Sequence, residues 1–166
     1  MTLHTHTATL HTNHGDIVVG LYGNHAPKTV DNFVGLATGE REWVNPTTGA
    51  AGEGALYSDV IFHRIIPGFM IQGGDPTGTG AGGPGYSIDC ELDGDNQHHD
   101  RGVLSMAHRG RDTGGSQFFI CHSRENTAHL DRNHTCFGKV IEGLDIIDTI
   151  QQGDVIKEIK VLEETV

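Results

Sequence analysis

One stretch of the chain brings together a guanidinium, a side-chain amide and two large apolar groups, the residue types of a candidate functional site. It reads Phe62-His63-Arg64-Ile65-Ile66-Pro67-Gly68-Phe69-Met70-Ile71-Gln72-Gly73-Gly74-Asp75. Pro67-Gly68 predicts a turn between two short strands, so the guanidinium of Arg64 and the amide of Gln72 come close to two large apolar groups. Core packing would explain the apolar residues, whereas an arginine flanked by apolar residues in a strand needs a partner or a role.

Motifs for phosphate binding and nucleophilic catalysis are weaker. Residues 78–83 fit the pattern G-x-G-x-x-G, but Pro84-Gly85 follows them where a dinucleotide site needs the start of a helix. Ser116 lacks the second glycine of a nucleophile elbow, and no cysteine has a base at a fixed spacing. The glycine-rich segment therefore predicts a flexible structural loop, and a charge-relay enzyme is disfavoured.

The 12 histidines raise the question of a metal site. Two groups could chelate a metal: His4, His6, His11 and His14, and then Cys121, His122, His129, His134 and Cys136. Neither C-x₂-C nor H-E-x-x-H spacing is present, so we expect solvated surface histidines and no metal. A metal-dependent enzyme is the alternative, which activity after chelation would test.

Composition bounds the class of protein. The 166 residues fit one domain, residues 1–166, and 24 glycines favour many turns over a helical bundle. A net charge of −11 disfavours nucleic-acid and anionic membrane partners, and no apolar run approaches the ~18 residues of a membrane span. Cys90, Cys121 and Cys136 show no disulfide spacing, and no signal peptide is visible, so a cytoplasmic location is expected.

The elements that must position Arg64 and Gln72 are predicted mostly as strands. A hairpin is expected around Asn13-His14-Gly15, a helix from Pro27 to Gly39, and a second short helix on Leu144, Ile147 and Ile150. Further strands are predicted at 60–66, 69–72, 103–107, 116–121, 136–140 and 155–162. Because helices do not alternate with every strand, this order favours a mainly β, closed antiparallel barrel with two helices.

These segments resemble the cyclophilins, a family of peptidyl-prolyl cis–trans isomerases. The resemblance covers about Ala8 to Leu162 and is carried by 26–33, 62–75, 104–107, 114–120 and 137–140. It implies a closed eight-stranded antiparallel barrel capped by two α-helices. The long loop Glu40–Ser58 is similar to that of bacterial or archaeal members.

The resemblance also implies the site. Arg64 matches the catalytic arginine, and Gln72 matches the amide that binds the substrate backbone. The implied substrate-binding residues are His63, Phe69, Met70, Gly80, Ala107, His108, Gln117, Phe119, His129, Leu130 and His134. Among them, four apolar side chains match the pocket for the proline ring, namely Phe69, Met70, Phe119 and Leu130.

Two departures from the family pattern matter. His129 stands where many eukaryotic members have the tryptophan that grips cyclosporin, so we expect weakened cyclosporin binding. His108-Arg109 replaces the common Asn-Ala pair and changes one wall of the groove.

The implied function is isomerisation of X-Pro bonds in peptides and unfolded proteins by a monomer without a cofactor. The barrier to rotation is ~18–20 kcal/mol because amide resonance must be lost, and no bond is broken. A fixed donor aimed at the prolyl nitrogen would stabilise the twisted state, and the rigid, always charged guanidinium of Arg64 suits that role. The alternative is a proline-peptide binding module or holdase, for which Arg64 would not be needed.

Overall fold

A computed structural model describes residues 5–92 and 97–163. The chain is mainly β. Its nine strands are β1 His6–Thr12, β2 Gly15–Leu21, β3 Val60–Ile61, β4 Arg64–Ile66, β5 Met70–Gly73, β6 Val103–Met106, β7 Phe118–Cys121, β8 Cys136–Glu142 and β9 Val155–Glu163. The helices are α1 Pro27–Thr38, α2 Arg124–Thr127 and α3 Leu144–Ile147, and a 3₁₀ turn spans Ala128–Leu130.

The strands form one antiparallel sheet, and it is not the expected closed eight-stranded barrel. Its order is β3-β9-β1-β2-β8-β6-β7-β5-β4, so β3 and β4 are the two ends of a nine-stranded half-barrel. The reason lies in the predicted strand 60–66, which is interrupted at Phe62 and His63. Its first part pairs with β9 and its second part with β5. One stretch of chain thus supplies both edges, and no described ladder joins them.

The predicted hairpin and first helix are confirmed. β1 pairs with β2 across a turn that ends at Gly15, whose φ of +129° favours glycine. α1 begins at Pro27 and stops at Gly39, which has a φ of +85°. The carboxylate of Glu91, 62 residues from Thr29, accepts hydrogen bonds from the backbone N–H groups of Lys28 and Thr29 at 3.2 and 2.6 Å. The start of α1 is therefore capped from a distant loop.

The prediction of two capping helices was only partly right. The second predicted helix is reduced to the four residues of α3, and α2 was not anticipated. In the long loop, Trp43 packs locally, as its Nε1 donates to the carbonyl of Gly54 at 3.0 Å. All three cysteines lie in the described ranges, and none is in a disulfide. No helix in residues 5–92 and 97–163 is long and apolar enough to cross a membrane.

The two faces of the sheet have different tasks because side chains alternate along a strand. Across β4, β5 and β7, Ile65 lies opposite Ile71, and Ile71 opposite Ile120; all three pack in or against the main core beneath α1. One residue along, the register aligns Arg64, Gln72, Phe119 and Ser105 on the other face. The same alternation that builds the core therefore gathers the candidate site residues outside it.

Candidate active site

The outer face of β4, β5 and β7 forms the floor of a cavity of about 230 Å³, which we call the small pocket. Met70 and Phe119 supply buried apolar walls. The small pocket is lined by Arg64, Phe69, Met70, Gln72, Ala107, His108, Phe119, Leu130 and His134. Nine of the predicted site residues, from strands, turns and the 3₁₀ turn, thus meet at one cavity.

The two polar side chains on the floor differ in how they are held. Arg64 is exposed, and its guanidinium makes no hydrogen bond or ion pair within the described ranges. Gln72 donates from Nε2 to Oε1 of Gln117 at 3.0 Å, and Gln117 in turn donates to the carbonyls of Gly80 and Gly82, both at 2.9 Å. These hydrogen bonds fix the amide of Gln72, whereas the guanidinium of Arg64 keeps its donors available for a ligand.

A second cavity of about 530 Å³, which we call the large cavity, adjoins the small pocket. The two share Arg64, Gln72, Ala107 and His108. The other walls of the large cavity are the segment 80–87, Arg109, Thr113 and residues 115–117. It is the more polar of the two because backbone and hydroxyl groups replace the aromatic wall.

Buried Asp75 holds the loop that walls the large cavity. Its carboxylate accepts backbone hydrogen bonds from Thr77 at 2.8 Å, Gly80 at 2.6 Å and Gly82 at 3.0 Å. Burial alone would raise the pKa of Asp75, but these hydrogen bonds outweigh it and lower the pKa below its ordinary value. The glycine-rich segment therefore forms a cradle around one carboxylate, and its predicted flexibility stays a prediction.

A polar network supports Phe119 from behind. The imidazole of His99 stacks on the Phe119 ring with centroids 5.9 Å apart and planes at 14°. Asp131 accepts from the backbone N–H of His99 at 2.7 Å and lies 3.0 Å from His99 Nδ1, while its other oxygen meets Arg124 at 2.7 Å. Because the carboxylate can only accept, Nδ1 carries the proton, and Nε2 accepts from the Ser105 hydroxyl 2.7 Å away.

The pKa values of this network favour a neutral imidazole beside a charged carboxylate. Burial lowers the pKa of His99 to about 4, against the opposing pull of Asp131. For Asp131, burial acts upward, but hydrogen bonds from His99 and Arg124 prevail and lower the pKa to about 2. Asp131, His99 and Ser105 are hydrogen-bonded in the order of a charge-relay triad. Ser105 is fully buried behind Phe119, so we interpret the three residues as support for the pocket wall.

A pair of imidazoles forms the rim of the small pocket. The rings of His108 and His134 stack with centroids 3.9 Å apart and planes at 10°. His134 Nδ1 lies 3.0 Å from the carbonyl of Met106, and His108 Nε2 lies 2.6 Å from that of Asn133, so each nitrogen is a donor. Burial, with the neighbouring His108, lowers the pKa of His134 although the Met106 hydrogen bond acts the other way.

The remaining predicted residues lie around these cavities. Gly80 and Gln117 line the large cavity, and a Cβ placed on Gly80 would come within 3.3 Å of the His63 ring. His129 lines neither cavity and stacks on Phe69 at 5.8 Å. Sequence reasoning missed Asp75, His99 and Asp131 as supports. An aspartate before a glycine-rich loop is a detectable signal for the first, whereas His99 and Asp131 are 32 residues apart without a local pattern.

Metal ligands do not converge in the described ranges. No group of three histidine, cysteine or acidic residues there is placed to hold a metal ion. His4, one of the candidate ligands, lies outside the described residues.

Comparison with known proteins agrees with this geometry. The family model described as "Cyclophilin type peptidyl-prolyl cis-trans isomerase/CLD" matches residues 7–166. A "Peptidyl-prolyl cis-trans isomerase A" of Mycobacterium tuberculosis is 54% identical over 140 residues, covering 84% of this chain and 76% of that protein. A "Peptidyl-prolyl cis-trans isomerase B" of Bacillus subtilis is 50% identical over 141 residues, covering 85% of this chain and 87% of that protein.

Solved structures give the same assignment. A cyclophilin-type isomerase of Cryptosporidium parvum superposes with a TM-score of 0.79 at 32% identity, covering 98% of this chain and 100% of that one. Another structure of that isomerase, titled as determined in the presence of the dipeptide ala-pro, has a TM-score of 0.78 at 32% identity, covering 95% of this chain and 99% of that one. The chain belongs to the cyclophilin-type peptidyl-prolyl cis–trans isomerases, and it is an enzyme of that activity.

Proposed function

We propose that the chain isomerises X-Pro bonds in peptides and unfolded proteins, with the Arg64 guanidinium as donor to the prolyl nitrogen. The observation that carries this proposal is a guanidinium, that of Arg64, without a protein partner in the described ranges, at a pocket with the apolar walls Met70 and Phe119. A charged group left free beside Phe119 and Met70 has a reason to be there if a ligand supplies its acceptor.

The proline ring occupies the small pocket between Phe69, Met70, Phe119 and Leu130. As the amide twists, the prolyl nitrogen loses its conjugation with the carbonyl and becomes a better hydrogen-bond acceptor. Arg64 then stabilises the twisted state more than either planar isomer, which is the condition for a faster reaction. Gln72, fixed through Gln117, holds the substrate backbone in a constant position while the acyl side rotates.

Several finer expectations belong to the same proposal. No cofactor takes part because no bond is broken. Cyclosporin binding is weakened, since His129 is already stacked on Phe69 and offers a smaller ring than an indole. The monomeric state and the cytoplasmic location stay predictions from the sequence.

The test is isomerase activity in the Arg64→Ala variant. Removing one donor to a transition state costs roughly 2.7–4 kcal/mol, so kcat/KM should fall about 10²-fold or more. Arg64→Lys should also be poor, because a point charge does not reproduce the planar fork. Arg111→Ala is the matched control, as Arg111 is exposed and lines neither cavity. A folded Arg64→Ala protein with near-normal kcat/KM would favour the binding-module alternative.

A further inference from the structure

We propose that the large cavity selects an acidic side chain of the substrate two residues from the proline, and that Arg109 is the residue that determines this specificity. The inference rests on the proposed use of the small pocket for the proline ring. It concerns a substrate side chain other than the proline whose nitrogen accepts from Arg64.

The charges that line the large cavity have one sign. Its formally charged lining residues are Arg64 and Arg109, and no aspartate or glutamate is among the lining residues. The chain as a whole has 22 acidic against 11 basic residues. Two guanidiniums facing a cavity without a lining carboxylate are therefore a local exception to an acidic protein, and such a site is complementary to a carboxylate.

Arg109 is held at this wall by its backbone, not by an ion pair. Its N–H donates to the Thr113 hydroxyl at 3.0 Å, and that hydroxyl donates to the Gly110 carbonyl at 2.8 Å. Within the described ranges its guanidinium has no carboxylate partner, whereas Arg111, two residues further along, lies 4.0 Å from Asp112. Arg109 thus sits on an ordered turn and keeps its donors for a ligand.

The wall shared by the two cavities limits how far from the proline a side chain can lie and still reach Arg109. The two cavities share a wall of four residues, so a ligand passes directly from one to the other. In an extended peptide, alternate side chains point to the same side and neighbouring ones to opposite sides. When the proline ring faces the small pocket, the side chain next to it points away, and the side chain two positions off enters the large cavity.

The expected size of the preference is modest because the cavity is open to solvent. Exposed ion pairs are worth about 0.2–1 kcal/mol, which corresponds to a preference of about 1.4- to fivefold between a charged and a neutral side chain of the same shape. The preference should fall with salt, because the Debye length shortens from ~10 Å at 0.1 M to ~3 Å at 1 M.

The experiment compares peptides that differ only in glutamate against glutamine. One series places the pair two residues before the proline, and a second places it two residues after. kcat/KM is measured by NMR exchange, and peptide affinity by calorimetry, for the wild type, Arg109→Gln, Arg109→Glu and the control Arg111→Gln. In one series we expect a glutamate preference of about 1.4- to fivefold at 0.1 M salt, lost in Arg109→Gln and reversed in Arg109→Glu.

The outcomes separate this inference from the proposed function. Equal turnover of both peptides in both series would overturn the acidic specificity and leave isomerisation by Arg64 intact. A preference that survives in Arg109→Gln, or that Arg111→Gln also removes, would overturn the assignment to Arg109. If folded wild-type protein isomerised none of these peptides, the proposed function itself would be refuted.

Discussion

The two adjoining cavities are each organised by one carboxylate, but the carboxylates work by different means. Behind the small pocket, Asp131 binds the side chains of His99 and Arg124, and His99 supports the Phe119 ring. Beside the large cavity, Asp75 binds the backbone N–H groups of its own following loop. The first wall is therefore built of side chains from distant segments, and the second of local backbone.

This difference suggests a division of work. A wall of stacked rings has one packed arrangement, which suits a pocket that must hold the same proline ring in every substrate. A wall of glycine-rich backbone, held by Asp75, stands opposite the side chain of Arg109 and leaves the large cavity polar, which suits recognition of a neighbouring side chain. The account therefore predicts that damage to the small pocket affects every substrate, whereas damage to the large cavity affects substrates selectively.

The largest effect expected in this comparison is that of Phe119→Ala. Truncating the ring removes the apolar wall and leaves His99 without its stacking partner, so affinity and kcat/KM should fall together, by about tenfold or more for all peptides. Calorimetry and exchange NMR measure the two quantities. Ile141→Ala is the control, since Ile141 is 52% exposed on β8. Normal kinetics in folded Phe119→Ala protein would remove Phe119 from the pocket wall.

The support beneath the small pocket should make stability depend on pH. Unfolded His99 binds a proton below about pH 6.5, but folded His99 does so only near its pKa of about 4. The unfolded state therefore binds more protons in this window, and the free energy of unfolding falls as pH drops from 6.5 to 4. The contribution of His99 is up to roughly 3 kcal/mol.

Urea denaturation at pH 7 and pH 4.5 measures this contribution. The wild type should lose more stability between the two values than His99→Gln does. The pKa values of His63 and His134 are also lowered, so the variant keeps part of the dependence. The same loss in both proteins would show that His99 is protonated equally in the folded and unfolded states.

The wall of the large cavity should be sensitive at one glycine and tolerant at the next. A Cβ on Gly82 would lie 2.2 Å from Oδ1 of Asp75, whereas one on Gly83 meets nothing within 4 Å. Gly82→Ala should therefore cost about 1–3 kcal/mol of stability by overpacking the cradle. Thermal unfolding of the two alanine variants is the measurement, and equal Tm values would contradict a rigid cradle around Asp75.

How far the sequence alone reaches depends on the range of the interaction. The hairpin at Gly15 and the helix from Pro27 to Gly39 follow from local turn and capping chemistry, and both are confirmed. The expected barrel closure was wrong because the interruption at Phe62 and His63 depends on which partner strand each half finds. Arg64 is aligned with Gln72 and Phe119 by the register of the strands, and no local sequence pattern contains that register.

The candidate site followed from the sequence through long ordered motifs, but its supports did not. Asp131 and His99 meet across 32 residues, and Glu91 caps α1 from 62 residues away. Such contacts are set by the folded chain, so composition and periodicity carry no trace of them.

The most direct test of the central claim separates binding from rate in Arg64→Ala. Exchange NMR on one proline peptide gives the dissociation constant and the isomerisation rate of the bound peptide in the same sample. If Arg64 acts on the twisted state, the bound rate should fall about 10²-fold or more while the Kd changes by less than about threefold. A Kd weakened as much as kcat/KM, with the bound rate unchanged, would make Arg64 a binding residue and contradict the account.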